Sequence, residues 1–128
     1  MTPLGSENPI RVVIADDEPD VRLLLRIQLE QEGFDIAGEA IDGRAAIETC
    51  VELRPSVVVL DLLMPGVNGI EAIPQLRRRC PDVAIIAYTA VAGDFVRKEI
   101  ARFRIPLLLK SGNVELLAAQ IRESANNH

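Results

Sequence analysis

Residues 57–66 read VVVLDLLMPG. Four aliphatic residues in a row, closed by an aspartate and then a Met-Pro-Gly break, describe a short strand buried on both faces. Such strands belong to parallel sheets that helices cover on either side. Three more stretches repeat the design: VVIADDE at 12–18, AIIAYTA at 84–90 and PLLLKSG at 106–112. Their carboxyl ends deliver Asp16 and Asp17, then Thr89 and Ala90, then Lys110, as the first stretch delivers Asp61. Ligands of an open parallel sheet sit just beyond those strand ends. Three carboxylates, a hydroxyl and an ammonium are therefore expected along one edge, a set suited to a divalent cation with a phosphoryl group beside it.

Between these strands the pattern switches to helical spacing. Strands are expected near 10–15, 34–38, 57–61, 83–89 and 107–110, the second being short and at an edge. Helices are expected near 19–32, 42–54, 68–79 and 93–102, with a last one opening at Gly112–Asn113. Pro19 suits a first helical position, and Val21, Leu24, Leu25 and Leu29 form the expected buried stripe of the first helix. Asp42 and Asn113 are candidate caps. Pro74 lies inside the third helix, where a bend or an irregular first turn near Ile70–Pro74 is expected. Alternating units of this kind predict an α/β three-layer sandwich with right-handed crossovers.

The chain has 128 residues, 48% of them hydrophobic and 26% charged, which fits one globular domain. Residues 1–9 read as a flexible tail, 10–124 as the domain and 125–128 as a second tail. No apolar run approaches a membrane span, and residues 1–9 lack the apolar core of a signal peptide. A net charge of −5 argues against direct nucleic-acid binding, which wants a basic face. Cys50 and Cys80 have no metal-ligand spacing and read as reduced thiols of a cytoplasmic protein. The lone histidine, His128, is terminal, so no histidine chemistry is expected in the domain.

Each candidate residue has a bland reading beside the functional one. Asp16, Asp17 and Glu18 precede a helix, where acids commonly interact with its positive end. The functional alternative is a Mg²⁺ site, since that ion takes oxygen ligands and keeps several waters. Asp61 ends an apolar run, and burying it unpaired would be costly. Beside a cation it could attack phosphorus and form an acyl phosphate. The carbonyl of Leu63 is a further candidate ligand. Thr89 is either an ordinary strand end or a donor to a phosphoryl oxygen, with Ala90 leaving room. Lys110 is either a snorkelling lysine or the ammonium that pairs with Asp61 at rest and with the phosphoryl group afterwards.

The runs IADDE, VVLDLLMPGVNGIEA, YTA and LLLKS closely resemble those of the receiver domains of two-component response regulators, over about residues 10–123. The resemblance implies a flavodoxin-like doubly wound sheet of strand order 2-1-3-4-5. It implies phosphorylation of Asp61 by a sensor histidine kinase, with Mg²⁺ (or Mn²⁺) held directly by Asp17 and Asp61 and through water by Asp16. Thr89, Ala90 and Lys110 would read the phosphorylated state. Such a domain is a signalling switch rather than an enzyme, catalysing only its own phosphoryl transfer and a slow autodephosphorylation. Output would pass to an attached domain or a partner through the face of the fourth helix, fifth strand and fifth helix, where a homodimer is also conceivable. The LLLKS ending is most like the transcription regulators that carry a C-terminal helix-turn-helix domain.

Three departures stand out: Leu107, Ser111, and Phe103-Arg104-Ile105-Pro106 where the family commonly has a Gly-Ala step before the fifth strand, which implies an atypical partner surface around the fourth helix. Leu107 occupies the position where the family usually has an aromatic residue that swings inward with the threonine. Tyr88 adjoins Thr89, but alternation points it to the opposite face. Ser111 replaces a frequent proline, so a cis bond is not expected there. Three rival readings stay open: a receiver-like module that works without phosphorylation, a Mg²⁺-dependent phosphohydrolase using an aspartyl nucleophile, and a flavin- or nucleotide-binding domain. The second would want an acid where Leu63 stands. The third would want a Gly-rich phosphate loop in place of ADDEP.

Overall fold

The computed structural model describes residues 8–64, 66, 68–90, 92–110 and 113–127. Strands β1 (Arg11–Ala15), β2 (Asp35–Ala40), β3 (Val57–Asp61), β4 (Ala84–Thr89) and β5 (Leu107–Leu109) alternate with helices α1 (Pro19–Gln31), α2 (Gly43–Leu53), α3 (Gly69–Arg79), α4 (Asp94–Phe103) and α5 (Val114–Asn127). The strands form one parallel sheet of order β2-β1-β3-β4-β5.

Strand alternation splits the core into two layers. Val13, Ala15, Val58, Leu60, Ile85 and Ala87 face α2, α3 and α4, while Val12, Ile14, Val57, Val59, Ile86 and Tyr88 face α1 and α5. Every residue of β3 is buried, as a central parallel strand requires. Each of its four aliphatic side chains, removed from water, contributes about 1.5–3 kcal/mol. Tyr88 lies on the α1/α5 side, opposite Thr89, as alternation predicts.

The caps read from sequence form. The Asp42 side chain accepts from Ala45 N–H at 2.7 Å, and Asn113 accepts from Leu116 N–H at 2.9 Å. Asn68 and Glu71 close a reciprocal capping box at the start of α3. That box explains one correction. The first turn of α3 is regular, and the helix runs through Pro74 unbroken. The bond that Pro74 forfeits would have reached the carbonyl of Ile70, in a first turn already secured by the box.

The stripe of α1 is narrower than expected. Leu25 and Leu29 are buried and Val21 packs against them, but Leu24 is exposed. Residues 21, 25 and 29 share one i, i+4 ridge. Leu24 lies a step around the helix and lines the opening between α1 and α5 instead. Strand β2 runs two residues past Gly38, because Glu39 and Ala40 continue the ladder opposite Ile14 and Ala15. Lys110 follows β5 rather than belonging to it, although its N–H still reaches the Thr89 carbonyl at 2.8 Å. Cys50 and Cys80 are free and buried, and burial pushes the Cys50 thiol up to about 12. Helix α5 continues to Asn127, through the stretch taken from sequence as a tail. Most of the expected N-terminal tail, the Pro65 break, Ser111 with its expected trans bond, Gly112 and His128 lie outside the described residues.

Candidate functional site

The carboxyl ends of β1 and β3 present Asp16 and Asp61 side by side, 1% and 2% exposed. The two carboxylates are held in the same way. Glu18 N–H donates to Asp16 Oδ1 at 2.8 Å, and Leu63 N–H donates to Asp61 Oδ1 at 3.0 Å. In each case the backbone two residues on turns back over the acid, a turn that aspartate favours. Both Oδ2 atoms are then left for Lys110, which reaches in from the end of β5. Its Nζ lies 2.6 Å from Asp16 Oδ2 and 3.2 Å from Asp61 Oδ2. Glu18 Oε1 is 3.8 Å from the same ammonium.

Burial pushes the Asp61 carboxyl above its ordinary range. The Asp16 charge adds to that, while the Leu63 N–H and Lys110 offset part of it. Burial alone would lower Lys110, but its bonds to Asp16 and Asp61 outweigh burial and hold the ammonium above its usual value. The ammonium and both carboxylates thus define one buried ionic cluster.

Asp17 joins from the exposed side. Carboxylate oxygens of Asp16, Asp17 and Glu18 all lie within 4.8 Å of one another. Three carboxylates, those of Asp16, Glu18 and Asp61, lie within 4.0 Å of the Lys110 ammonium, and Asp17 adds a fourth to the acidic group through Asp16 and Glu18. A hard divalent cation fits such a set, because every donor is an oxygen and the net charge is negative. The unbroken Asp-Asp-Glu run groups Glu18 with Asp16 and Asp17 already in the sequence, though without a ligand role of its own.

Thr89 is fully buried at the end of β4, one residue beyond Tyr88, which pairs with Asp61 across the ladder. Ala90 follows it into solvent. Leu63, whose N–H holds Asp61, leaves its apolar side chain 56% exposed. Leu107 is set apart from this cluster, packed into the layer beneath α4. Tyr88 lines a cavity of about 350 Å³ between α1 and α5, with Lys110 on its wall.

One residue missed in the sequence shapes the site from below. A Cβ at Gly69 would stand 2.1 Å from the Asp61 carbonyl oxygen and 2.8 Å from Leu62 Cα. The start of α3 therefore lies directly on the backbone that carries Asp61.

Residues 12–122 match the family model of the response regulator receiver domain. The chain belongs to that family. Members relay phosphorylation signals in two-component systems, and their receiver domains bind Mg²⁺ in an acidic pocket. This receiver domain is 37% identical over 118 residues to the transcriptional regulatory protein LiaR of Bacillus subtilis, covering 91% of the chain and 56% of LiaR. It is 40% identical over 81 residues to the chemotaxis protein CheY of Thermotoga maritima, covering 63% and 68% respectively. The chain thus spans little more than half the length of LiaR. Among solved structures, the response regulator domain of Thermotoga maritima CheB superposes with a TM-score of 0.86 at 25% identity, covering 94% of this chain and 99% of that one. The receiver domain of RcsB from Salmonella enterica, determined with the phosphomimetic BeF₃⁻, is 33% identical with a TM-score of 0.75, covering 83% and 80%. Among the described residues, no helix of this receiver domain is long and apolar enough to cross a membrane.

Proposed function

We propose that residues 10–124 form a phosphorylation-driven switch in which Asp61 accepts a phosphoryl group from a phosphohistidine on a sensor kinase. The observation that carries this reading is the single ammonium of Lys110 bridging two buried carboxylates from different strands. That arrangement offsets part of the burial that favours the protonated acid and aims the acceptor, with no catalytic base required. An Asp61 carboxylate oxygen attacks phosphorus in line. The P–N bond to the kinase imidazole breaks as the P–O bond forms, and the leaving imidazole keeps the electron pair. Asp17 and Asp61 would hold Mg²⁺ or Mn²⁺ directly, Asp16 through water, and the Leu63 carbonyl would complete the protein's oxygens. Such an ion supplies neutralising charge to the phosphoryl oxygens.

Phosphorylation adds about −1.5 to −2 charge. Lys110 then turns from its carboxylate partners to a phosphoryl oxygen, and Thr89 donates to another, with Ala90 leaving the approach open. Their movement shifts a two-state equilibrium in the segment leading to α4. The face of α4, β5 and α5 suits a partner or an attached output domain of the helix-turn-helix kind. Phe95 is 73% exposed there, and a groove of about 330 Å³ runs past Arg97, Leu107 and Leu116. Leu107 cannot act as the usual aromatic reporter, so α4 would respond through Thr89 alone. A cytoplasmic setting fits a kinase partner.

Incubation with Mg²⁺ and a small acyl-phosphate donor, followed by intact mass measurement, tests this reading. A single phosphoryl gain is expected, absent in Asp61→Asn. It should decay slowly after donor removal, because exposed apolar Leu63 hinders attacking water. Sustained phosphate release would instead indicate a phosphohydrolase, and no gain from donor or kinase would indicate a module that works unphosphorylated.

A further inference from the structure

Arg22 stands in the second half of the first turn of α1, with its side chain only 16% exposed. Its Nη1 donates to the Asp16 carbonyl oxygen at 2.7 Å, and its Nε donates to Glu39 Oε1 at 3.0 Å. Glu39 also accepts from Arg26. On the other side of the same residue, Asp16 N–H donates to the Ala40 carbonyl at 2.9 Å. Residues 39 and 40 of the edge strand thus hold Asp16 twice, once directly through its N–H and once through Arg22 at its carbonyl.

The carbonyl in question belongs to the peptide bond joining Asp16 to Asp17. That unit is planar, so fixing its oxygen fixes the plane from which the Asp17 side chain departs. Asp17 is the least buried of the aspartates read as holding the cation, and its position depends most on its backbone. The strong donor is the guanidinium, which can bond a carbonyl and a carboxylate at once in a fixed fork. Its positive charge would by itself oppose a nearby cation; the Glu39 carboxylate offsets it.

We propose that Arg22 is a positioning residue for the metal site, setting Mg²⁺ affinity by clamping the Asp16–Asp17 peptide. This inference rests on the reading of Asp16 and Asp17 as Mg²⁺-holding residues. It separates Arg22 from Arg26, which shares Glu39 but has no contact with the acidic loop among its described bonds. An ordinary ion-pair network on the flank of α1 would make the two arginines equivalent.

The test is calorimetric titration of the whole chain with Mg²⁺ alone, without phosphoryl donor, alongside thermal unfolding in Mg²⁺-free buffer to establish that each variant is folded. Arg22→Gln is expected to weaken Mg²⁺ binding about tenfold, in the range typical of residues that orient metal ligands. Arg22→Lys, which keeps one donor for the carbonyl, should recover most of that loss. Arg26→Gln should change the affinity by less than about twofold, as expected for a partly exposed pair. Unchanged or tighter binding in Arg22→Gln, or an equal loss in Arg26→Gln, would overturn the proposal. If Arg22→Gln does not fold, Arg22→Met, which keeps the aliphatic stem without the donor, is compared with Arg26→Met by the same criteria. The underlying reading fails separately: wild type would then take up no Mg²⁺, or Asp17→Asn would bind it as wild type does, and the role of Arg22 would fall with it.

Discussion

Lys110→Met should destabilise the fold by about 3 kcal/mol at neutral pH, because it leaves two buried carboxylates facing each other without a cation. Methionine keeps most of the lysine stem, so the loss reports the ammonium rather than packing. The figure sits at the low end for breaking a buried ionic cluster because the lysine side chain is 15% exposed and water can partly replace it. The pH dependence follows from Asp61. Its folded pKa lies above its unfolded value, so the native state holds the proton over a range where the unfolded chain has lost it. Stability contributed by that group is therefore present at low pH and falls as pH rises through the window between the two values. Removing Lys110 takes away one of the influences that lower this pKa, widening the window upward. The deficit of Lys110→Met should thus shrink on acidification. Adding Asp61→Asn to Lys110→Met should restore most of the stability at pH 7. Urea unfolding of the single and double variants at two pH values checks both. A loss independent of pH, or no recovery in the double variant, would show that the cluster is not what the lysine stabilises.

Gly69→Ala should lower stability by about 3 kcal/mol, against the direction set by helix propensity. Alanine is favoured over glycine in a helix by about 1 kcal/mol, so a propensity argument expects a gain. The added methyl would lie 2.1 Å from the Asp61 carbonyl oxygen and 2.8 Å from Leu62 Cα. Both are backbone atoms of the segment carrying the acceptor and cannot rotate away, so α3 must back off from the end of β3. Overpacking of this kind typically costs 1–3 kcal/mol, roughly, and backbone clashes fall at its upper end. Gly93→Ala is the control. Gly93 has nothing within 4 Å of its would-be Cβ and should lose no more than about 1 kcal/mol as a helix cap. The same displacement should slow phosphorylation of Asp61 about tenfold or more, since in-line transfer is sensitive to small misplacements. Denaturant midpoints and the rate of mass gain with a small donor measure the two effects. A Gly69→Ala protein as stable as wild type would mean that α3 is free to shift.

The central strands were legible because burial on both faces leaves no choice of composition: VVVLD, VVIA and AIIAYT admit little but aliphatic residues. Edges were less legible. Strand β2 has the sequence DIAGEA, and its final pair is held by the ladder to β1 and by Arg22 and Arg26, partners that arrive from another helix. Leu24 looked like core by spacing and proved exposed, because the ridge that a helix buries depends on how it lies across the sheet. The regular start of α3 was misjudged from Pro74 alone; the Asn68–Glu71 box was present in the sequence and went unweighed.

By itself, the sequence determined the strand–helix alternation and the identities of the acids, hydroxyl and amine at the strand ends, because residue type and period are local properties. Only the tertiary structure decided that Lys110 touches Asp16 as well as Asp61, that Gly69 must stay bare and that Arg22 holds the Asp16 carbonyl. The Lys110 contacts join segments far apart in the chain, and the Arg22 and Gly69 contacts join a strand end to the helix that follows it. Their geometry is set by strand order, helix placement and backbone direction together, and no one stretch of residues encodes it.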